Sequence, residues 1–187
     1  MMKRTFFAVK VNIDKDLKSA MDLLRKGLAK EKIRWIDEHN MHITLAFIGD
    51  THEKTINEII SMLDSKLKGS GRIAFGLISF GVFKNFRDPR VIFAGIENPE
   101  KLINAFVAIK KGLEEIGIKI EEREFKPHLT LGRVKFLSDT DNLKLLLSKF
   151  ENVKFQDVNV DKIIYYESIL RPEGPEYKPL QVVPLTK

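Results

Sequence analysis

The 187-residue sequence contains no cysteine. Disulfide bridges, thiolate nucleophiles, thiolate zinc sites and cysteine-bound iron–sulfur clusters are therefore excluded. It has only four histidines, His39, His42, His52 and His128, so any imidazole chemistry must use this small set. No run approaches the roughly 18 apolar residues of a membrane-spanning helix, and the apolar stretch that follows Arg4 is too short for a signal peptide. We expect a cytoplasmic monomer without a membrane partner.

The net charge and the overall composition restrict the possible functions less than the absence of cysteine does. The 32 lysines and arginines outnumber the 26 acidic residues, which gives a formal net charge of +6, and 43% of the residues are hydrophobic. That apolar content is enough for a folded core. The positive excess suits a polyanionic partner such as RNA, but it is spread along the chain and is equally typical of a solvated, lysine- and glutamate-rich surface.

Hydrophobic periodicity predicts an α+β fold of about four helices packed on largely antiparallel strands. Helical spacing begins after Asp14, and it recurs at 56–67, 102–116 and 143–150. Alternating patterns predict strands at 7–11, 41–46, 73–82, 91–96, 118–122, 127–131, 155–160, 163–170 and 180–185. The pair Gly49-Asp50 is typical of a turn and is expected to end the second of these strands.

Two of the predicted strands carry the same motif. His42-Ile43-Thr44-Leu45 and His128-Leu129-Thr130-Leu131 both read His, aliphatic, Thr, Leu. Because side chains two residues apart in a strand point to the same face, each strand presents one imidazole and one hydroxyl together, with the aliphatic residues facing the core. If the two halves of the chain are related by an approximate two-fold axis, both pairs meet at one cleft.

Such a set suits displacement at phosphorus. In-line attack needs a base on the entering oxygen and an acid on the departing one, and imidazoles with pKa values near 6.5 supply both around neutral pH. The two threonine hydroxyls can hydrogen-bond the non-bridging oxygens. The chemistry requires neither a metal nor another cofactor.

Other interpretations of these residues remain open. A single histidine on the polar face of a strand is more often a structural residue than a catalyst, and threonine is common in strands. A two-histidine metal site would need carboxylate ligands, and no H-E-x-x-H or His-x-His motif occurs. His39 and His52 lack the repeated pattern, and we assign them no function.

With both motifs in view, the sequence resembles the 2H phosphoesterase superfamily, and within it the RNA 2′,3′-cyclic phosphodiesterases, also called 2′-5′ RNA ligases. The resemblance covers nearly the whole chain. Its flanking positions are Trp35, Phe47-Ile48-Gly49, Phe125-x-Pro127, Arg133, Ser168-x-Leu170 and Gly174-Pro175-x-Tyr177.

The resemblance implies a single bilobal domain over residues 1–187, with one H-x-T-x motif in each lobe and pseudo-two-fold symmetry. Two antiparallel sheets would line a central groove, with helices outside. It also implies metal-free hydrolysis of a 2′,3′-cyclic phosphate, at an RNA 3′ end or on a small nucleotide, to a 2′-phosphate. His42 would then donate the proton, His128 would accept one, and Thr44 and Thr130 would bind the phosphate.

Three further residues are weaker candidates for substrate binding. Arg133 lies three residues after Thr130, so it faces away from the threonine unless a bulge turns it. Phe83 and Phe125, together with Phe86, are candidates for stacking on a nucleobase, although most of the 13 phenylalanines must belong to the core. Alternative functions are phosphodiesterase or ligase activity on 2′-5′ linked oligonucleotides or on small cyclic-phosphate nucleotides, or binding of nucleotides or RNA without turnover.

Overall fold

The chain forms two antiparallel sheets backed by helices. A computed structural model describes residues 1–120, 124–172 and 174–186. The strands in these ranges are β1 (Met2–Lys10), β2 (Lys32–Trp35), β3 (His42–His52), β4 (Ile73–Phe83), β5 (Val91–Glu97), β6 (Leu129–Phe136), β7 (Lys154–Val160), β8 (Lys162–Leu170) and β9 (Pro175–Pro184). The helices are α1 (Lys15–Gly27), α2 (Glu53–Leu67), α3 (Glu100–Glu115) and α4 (Thr140–Ser148). The predicted α+β class is confirmed.

Local sequence explains where the helices begin. The side chain of Asp14 accepts hydrogen bonds from the backbone N–H groups of Asp16 and Leu17, which caps α1 as predicted. Asp139 caps α4 by accepting from the N–H of Asn142. Each cap satisfies amide groups that have no partner within the first turn of a helix.

Every pair of neighbouring strands in the described ranges is antiparallel. Sheet one has the order β3-β1-β8-β9, and sheet two has the order β2-β6-β5-β4-β7. Helices α1 and α4 pack together and against sheet two, whereas α2 packs against sheet one and against α3. Helix α3 contacts both β3 and β4, and most buried side chains of the two sheets form one continuous core. A smaller cluster on sheet one consists of Phe6, Ala8, Ile164 and Tyr166.

The structure corrects three details of the predicted elements. Gly49 does not end a strand, since β3 continues to His52, and Gly49 has a φ of +89° within it. Residues 118–120 are not in a strand, and the rest of the predicted strand at 118–122 lies outside the described residues. The short strand β2 was not predicted, although Ile33 and Trp35 alternate with charged residues in it.

Within 1–120, 124–172 and 174–186, no helix is both long enough and apolar enough to cross a membrane.

Candidate active site

The two motif strands meet where the sheets meet. Strand β3 forms the edge of sheet one, and its Cα atoms approach those of β6 in sheet two within 8 Å. Ile43 and Leu45 are buried, as are Leu129 and Leu131. The histidines and threonines of both motifs therefore lie on the opposite, partly exposed faces, as the alternation predicts.

Both motifs end in a β-bulge at the same position. On β3, Leu45 has no partner on β1, because Ala8 pairs with Thr44 and Phe7 with Ala46. Leu131 on β6 likewise has no partner on β5. An extra residue shifts the alternation of a strand by one step, so the side chain five positions after each histidine returns to the face of that histidine.

These two bulges place Phe47 and Arg133 in equivalent positions. Both side chains are exposed, whereas Ala46 and Gly132 before them are buried. Arg133 thus lies on the same side of β6 as Thr130, which is the bulged arrangement that a phosphate contact requires.

His42 is fixed by its backbone neighbour and by aromatic rings. Its Nδ1 lies 2.6 Å from the carbonyl oxygen of Asn40. The ring of Tyr177 stands edge-on to the imidazole at a centroid distance of 5.0 Å, and the ring of Phe6 lies at 5.3 Å. These contacts hold the imidazole plane on the surface of sheet one.

His128 has a matching environment on sheet two, one residue before β6 begins. Its Nδ1 lies 2.7 Å from the carbonyl oxygen of Lys126, again two residues earlier in the chain. Phe83 stands edge-on to the imidazole at 4.8 Å, and Phe93 lies at 5.6 Å. The two histidines are therefore held in the same way by equivalent segments of different sheets.

The hydrogen bonds decide the tautomer of both imidazoles. A carbonyl oxygen can only accept, so each Nδ1 carries a proton and donates it. In the neutral ring, Nε2 of His42 and of His128 is then the basic nitrogen. Both histidines present the atom that can accept or deliver a proton on the side away from the backbone.

Burial shifts both imidazoles toward the neutral form. Desolvation lowers the pKa of His42, the carbonyl of Asn40 opposes that shift, and the positive charges of Arg133 and His128 lower the pKa further. Desolvation likewise lowers the pKa of His128, opposed by the carbonyl of Lys126 and assisted by Arg133. The charge of Arg133 therefore acts on both rings, and the cavities that contain the two histidines share Thr44 and Phe47, so the rings lie around one centre.

The groove around this centre has two arms that join at Thr44 and Phe47. One arm, a cavity of ≈ 350 Å³, is lined by His42, Thr44 and Phe47 together with Arg4, Phe6, Arg34, Ile36, Arg133, Ser168, Leu170, Pro175 and Tyr177. The other arm, of ≈ 400 Å³, is lined by Thr44, Phe47 and His128 together with Leu45, Ala46, Phe83, Phe106, Ile120, Glu124, Phe125 and Lys126. The first arm is basic and the second is largely apolar.

The threonines and the weaker candidates take different positions around the groove. Neither Thr44 nor Thr130 uses its hydroxyl in a hydrogen bond within the described part of the chain. Thr130 stands opposite Phe93 of β5, and the ring of Phe93 contacts His128. Phe83 and Phe125 both line the apolar arm, where Phe125 stacks on Phe106 at 4.5 Å. Phe86 is not among the described residues that line either arm.

Sequence reasoning missed several residues of the groove, among them Arg4, which reaches it from β1 and has no motif that links it to the histidines. Tyr177 reaches the groove from β9 and was noted only as a flanking position of the resemblance. Phe47 was noted only as a flanking residue, but its position five residues after His42 matches that of Arg133 after His128. Aligning the two motifs beyond their fourth residue would have indicated it. Among the described residues, no three His, Asp or Glu side chains cluster as a metal site would need.

Comparison with known proteins identifies the family. A profile of LigT-like phosphoesterases matches residues 9–93 and 96–177, which include both motifs. The chain belongs to the LigT-like phosphoesterase family. Membership confirms the resemblance that the two H-x-T-x motifs indicated.

Relatives of this LigT-like phosphoesterase match along most of their length. The RNA 2′,3′-cyclic phosphodiesterase of Thermotoga maritima is 36% identical over 180 residues, covering 95% of this chain and 92% of the relative. The protein of the same name from Methanocaldococcus jannaschii is 33% identical over 175 residues, covering 94% and 96%.

Solved structures of this LigT-like fold show the same architecture. TT0787 of Thermus thermophilus matches with a TM-score of 0.79 and 24% identity over 98% of each chain. Escherichia coli LigT in complex with 3′-AMP matches with a TM-score of 0.76 and 21% identity over 100% of each chain. The predicted family fold is confirmed.

Proposed function

We propose that this protein hydrolyses the 2′,3′-cyclic phosphate of an RNA 3′ end or of a nucleotide and leaves a 2′-phosphate. The observation that carries the proposal is the pair of histidines, each with Nδ1 bonded to a carbonyl and Nε2 available to substrate, around one groove. The names of the curated relatives support the same reaction. We treat residues 1–187 as one catalytic domain with a motif in each lobe.

The reaction is a single in-line displacement. A water oxygen attacks phosphorus while Nε2 of His128 takes the water proton. The bond between phosphorus and the 3′ oxygen breaks, and Nε2 of His42, protonated beforehand, gives its proton to that oxygen. The cyclic diester becomes a 2′-phosphate monoester and a free 3′ hydroxyl, and after the step His128 holds one more proton and His42 one fewer.

The phosphate itself prepares this proton arrangement. Without substrate, desolvation and the charge of Arg133 favour the neutral form of both imidazoles, because they lower both pKa values. An anion between the rings favours a charged imidazole and raises the pKa of the ring beside it. Thr44, Thr130 and Arg133 donate hydrogen bonds to the non-bridging oxygens, where negative charge develops.

The nucleobase occupies the apolar arm of the groove in this proposal. Phe83 and Phe125 provide aromatic surface there, and unstacked bases bind to such faces. Phe47 stands at the junction of the two arms with 47% of its surface exposed, so it can contact the ribose or the base.

The first test is direct. His42→Ala and His128→Ala should each lower kcat/KM on a 2′,3′-cyclic-phosphate oligonucleotide by about 10²–10⁴-fold, the usual contribution of one acid–base group. The matched control is His52→Ala, which removes an exposed histidine that makes no side-chain cap bond at the start of α2. Activity should persist in EDTA. Full activity in either groove variant, or its loss in EDTA, contradicts the mechanism.

A second substrate separates the acid from the base. Sulfur in place of the 3′ bridging oxygen leaves as a thiolate and needs little protonation. His42→Ala should therefore regain most of its lost rate on this substrate, whereas His128→Ala should not. If His128→Ala regains its rate and His42→Ala does not, His128 is the acid and His42 is the base, and the proposed overall reaction stays the same.

A further inference from the structure

Tyr177 occupies the same place beside His42 that Phe83 occupies beside His128. Both rings stand edge-on to an imidazole, at centroid distances of 5.0 Å for Tyr177 and 4.8 Å for Phe83. The two edge-on rings differ by one polar atom, the phenol oxygen, which is present only on the side of His42. The contact with the imidazole needs only the ring, so the hydroxyl of Tyr177 requires an explanation of its own.

The hydroxyl of Tyr177 has no partner in the protein. It makes no hydrogen bond within the described part of the chain. It is also not sealed in the core, because among the described side chains only Nε of Arg25 is both fully buried and without a hydrogen-bond partner. A phenol hydroxyl donates one hydrogen bond and can accept others. The oxygen of Tyr177 is therefore open to a molecule that enters the groove.

Tyr177 lines three cavities, and Arg133 indicates which of them its hydroxyl serves. Arg133 lines the basic arm and neither of the other two cavities. Burial raises the pKa of Tyr177, and the charge of Arg133 is the strongest of the arginine charges that oppose this shift. After burial, the same charge is also among the causes that lower the pKa of both imidazoles. The phenol oxygen therefore lies near the guanidinium that borders the reacting centre.

A second tyrosine packed nearby does not share this position. The ring of Tyr166 stacks on Phe6 at a centroid distance of 5.3 Å, and the ring of Tyr177 meets the same Phe6 edge-on at 5.1 Å. Tyr166 is not among the described residues that line the basic arm, and burial alone raises its pKa. Of the two tyrosines that pack on Phe6, only Tyr177 combines an open hydroxyl with the charge of Arg133.

A phenol in this arm is suited to an anion. Burial raises the pKa of Tyr177 above the ordinary tyrosine value of about 10, so the hydroxyl keeps its proton at neutral pH and can donate it. No described residue that lines the basic arm is a carboxylate, so none of them competes for this proton. Hydrogen bonds to ionised acceptors such as phosphate oxygens are about twice as strong as those between neutral groups.

We infer that the hydroxyl of Tyr177 donates a hydrogen bond to one of the two non-bridging oxygens of the reacting phosphate. The inference rests on the proposed function, because it takes the position of the phosphate from it. Negative charge grows on these oxygens during the displacement, so a donor already in place stabilises the transition state more than the bound substrate. Because Phe83 has no hydroxyl, this donor serves only the side of His42, and the two oxygens are unequal.

The variant Tyr177→Phe removes the hydroxyl and keeps the ring that contacts His42. We expect kcat on a nucleoside 2′,3′-cyclic phosphate to fall by about 10²-fold, as loss of one oxyanion donor does. Urea denaturation should show almost no change in stability, because the hydroxyl has no partner in the described chain. The matched control Tyr166→Phe should keep the parent kcat. A fully active Tyr177→Phe overturns the inference while the proposed function stands.

Phosphorothioate substrates distinguish a direct contact from a change of structure. A nucleoside 2′,3′-cyclic phosphorothioate has two diastereomers, in which sulfur, a weak hydrogen-bond acceptor, replaces one or the other non-bridging oxygen. Tyr177→Phe should slow one isomer by about the full 10²-fold. It should slow the other much less, because sulfur already occupies the position that the hydroxyl contacts. Equal losses for both isomers mean that the hydroxyl acts through structure, and they overturn the contact.

A binding measurement does not depend on turnover. Adenosine 2′-monophosphate should bind to Tyr177→Phe about tenfold more weakly than to the parent protein, the usual effect of losing one hydrogen bond to a charged group. If calorimetry shows this difference but the parent protein hydrolyses no cyclic phosphate, the Tyr177 contact stands and the proposed function fails. Equal affinities of the parent protein and the variant overturn the contact.

Discussion

His42 and His128 owe their orientation to short-range features of the chain. In each case the Nδ1 proton goes to a carbonyl two residues earlier and an aromatic ring stands edge-on at 4.8–5.0 Å. The rings need no carboxylate partner to set the tautomer, because the backbone does so. The basic nitrogen is therefore placed before substrate arrives, and little reorganisation is needed during the reaction.

Thr44 and Thr130 offer a clean test at the residue scale. Their hydroxyls have no hydrogen-bond partner within the described residues, so they are available to substrate. Thr44→Val and Thr130→Val preserve side-chain shape and strand preference, and each should lower kcat/KM by about 10²-fold, as loss of one oxyanion donor does. Steady-state kinetics on a cyclic phosphate, with urea denaturation beside it, should show almost no loss of stability.

Thr51 provides the matched control. Its hydroxyl lies 2.8 Å from that of Thr5, which in turn accepts from Tyr165, in a buried network away from the groove. Thr51→Val should cost about 1–3 kcal/mol of unfolding free energy, because it leaves buried polar groups unpaired. Its kcat/KM should stay normal where the protein is folded. A stable, fully active Thr44→Val would show that this hydroxyl does not bind phosphate.

At the scale of elements, the paired bulges matter more than the strands themselves. The extra residues Leu45 and Leu131 shift the alternation in both motif strands, so Phe47 and Arg133 join the face of the histidines. A regular strand would direct these side chains to the opposite face. The two bulges therefore add one aromatic residue, Phe47, and one cationic residue, Arg133, to the face that carries the histidines.

A further bulge on β3 depends on Gly49. Ile48 has no partner on β1, and the chain returns to register at Gly49 with a φ of +89°. An added Cβ there would lie 3.7 Å from the ring of Phe47, an ordinary contact, so the cost of a side chain is one of backbone conformation. Gly49→Ala should lower the unfolding free energy by about 1–2 kcal/mol.

Urea denaturation checks this expectation with an internal comparison. Gly49→Asn should cost less than Gly49→Ala, because asparagine adopts positive φ more readily than alanine. Equal stability of Gly49→Ala and the parent protein would mean that the bulge relaxes without penalty.

The sequence predicted the helices and the motif histidines, and it did not predict the features that depend on how the strands pair. Asp14 and the apolar spacing after it were enough to locate α1, and the repeated motif located both histidines. The pair Gly49-Asp50 is compatible with a turn and with a bulge, because a glycine with positive φ occurs in both. The sequence therefore could not show that β3 continues beyond Gly49. Arg4 and Tyr177 reach the groove only through the order of strands in sheet one, which local pattern does not encode.

At the scale of the whole molecule, the two sheets supply opposite halves of one site. Sheet one contributes His42 with the basic arm, and sheet two contributes His128 with the apolar arm. The net charge of +6 is a weak indicator by itself, and only three of the chain's basic residues, Arg4, Arg34 and Arg133, line the cavity that contains His42. Helix α3 contacts both sheets, so the halves share one core and the separation of the histidines is set by folding.

The buried imidazoles also make global stability depend on pH. Folding lowers the pKa of His42 and of His128, so below the unfolded value of about 6.5 the unfolded chain binds more protons than the folded one. Stability then rises with pH in this range. Their contribution is fully present above pH 6.5 and is lost as the pH falls through that value toward the folded pKa values.

Urea denaturation between about pH 7 and pH 5.5 should therefore show a falling unfolding free energy. The double variant His42→Gln and His128→Gln should flatten that slope, whereas His52→Gln should not. Saturating inorganic phosphate should also flatten it for the parent protein, because a bound anion raises the pKa of the imidazoles it contacts. If the double variant keeps the full slope, other groups cause it and the two histidines are not held in the neutral form by burial.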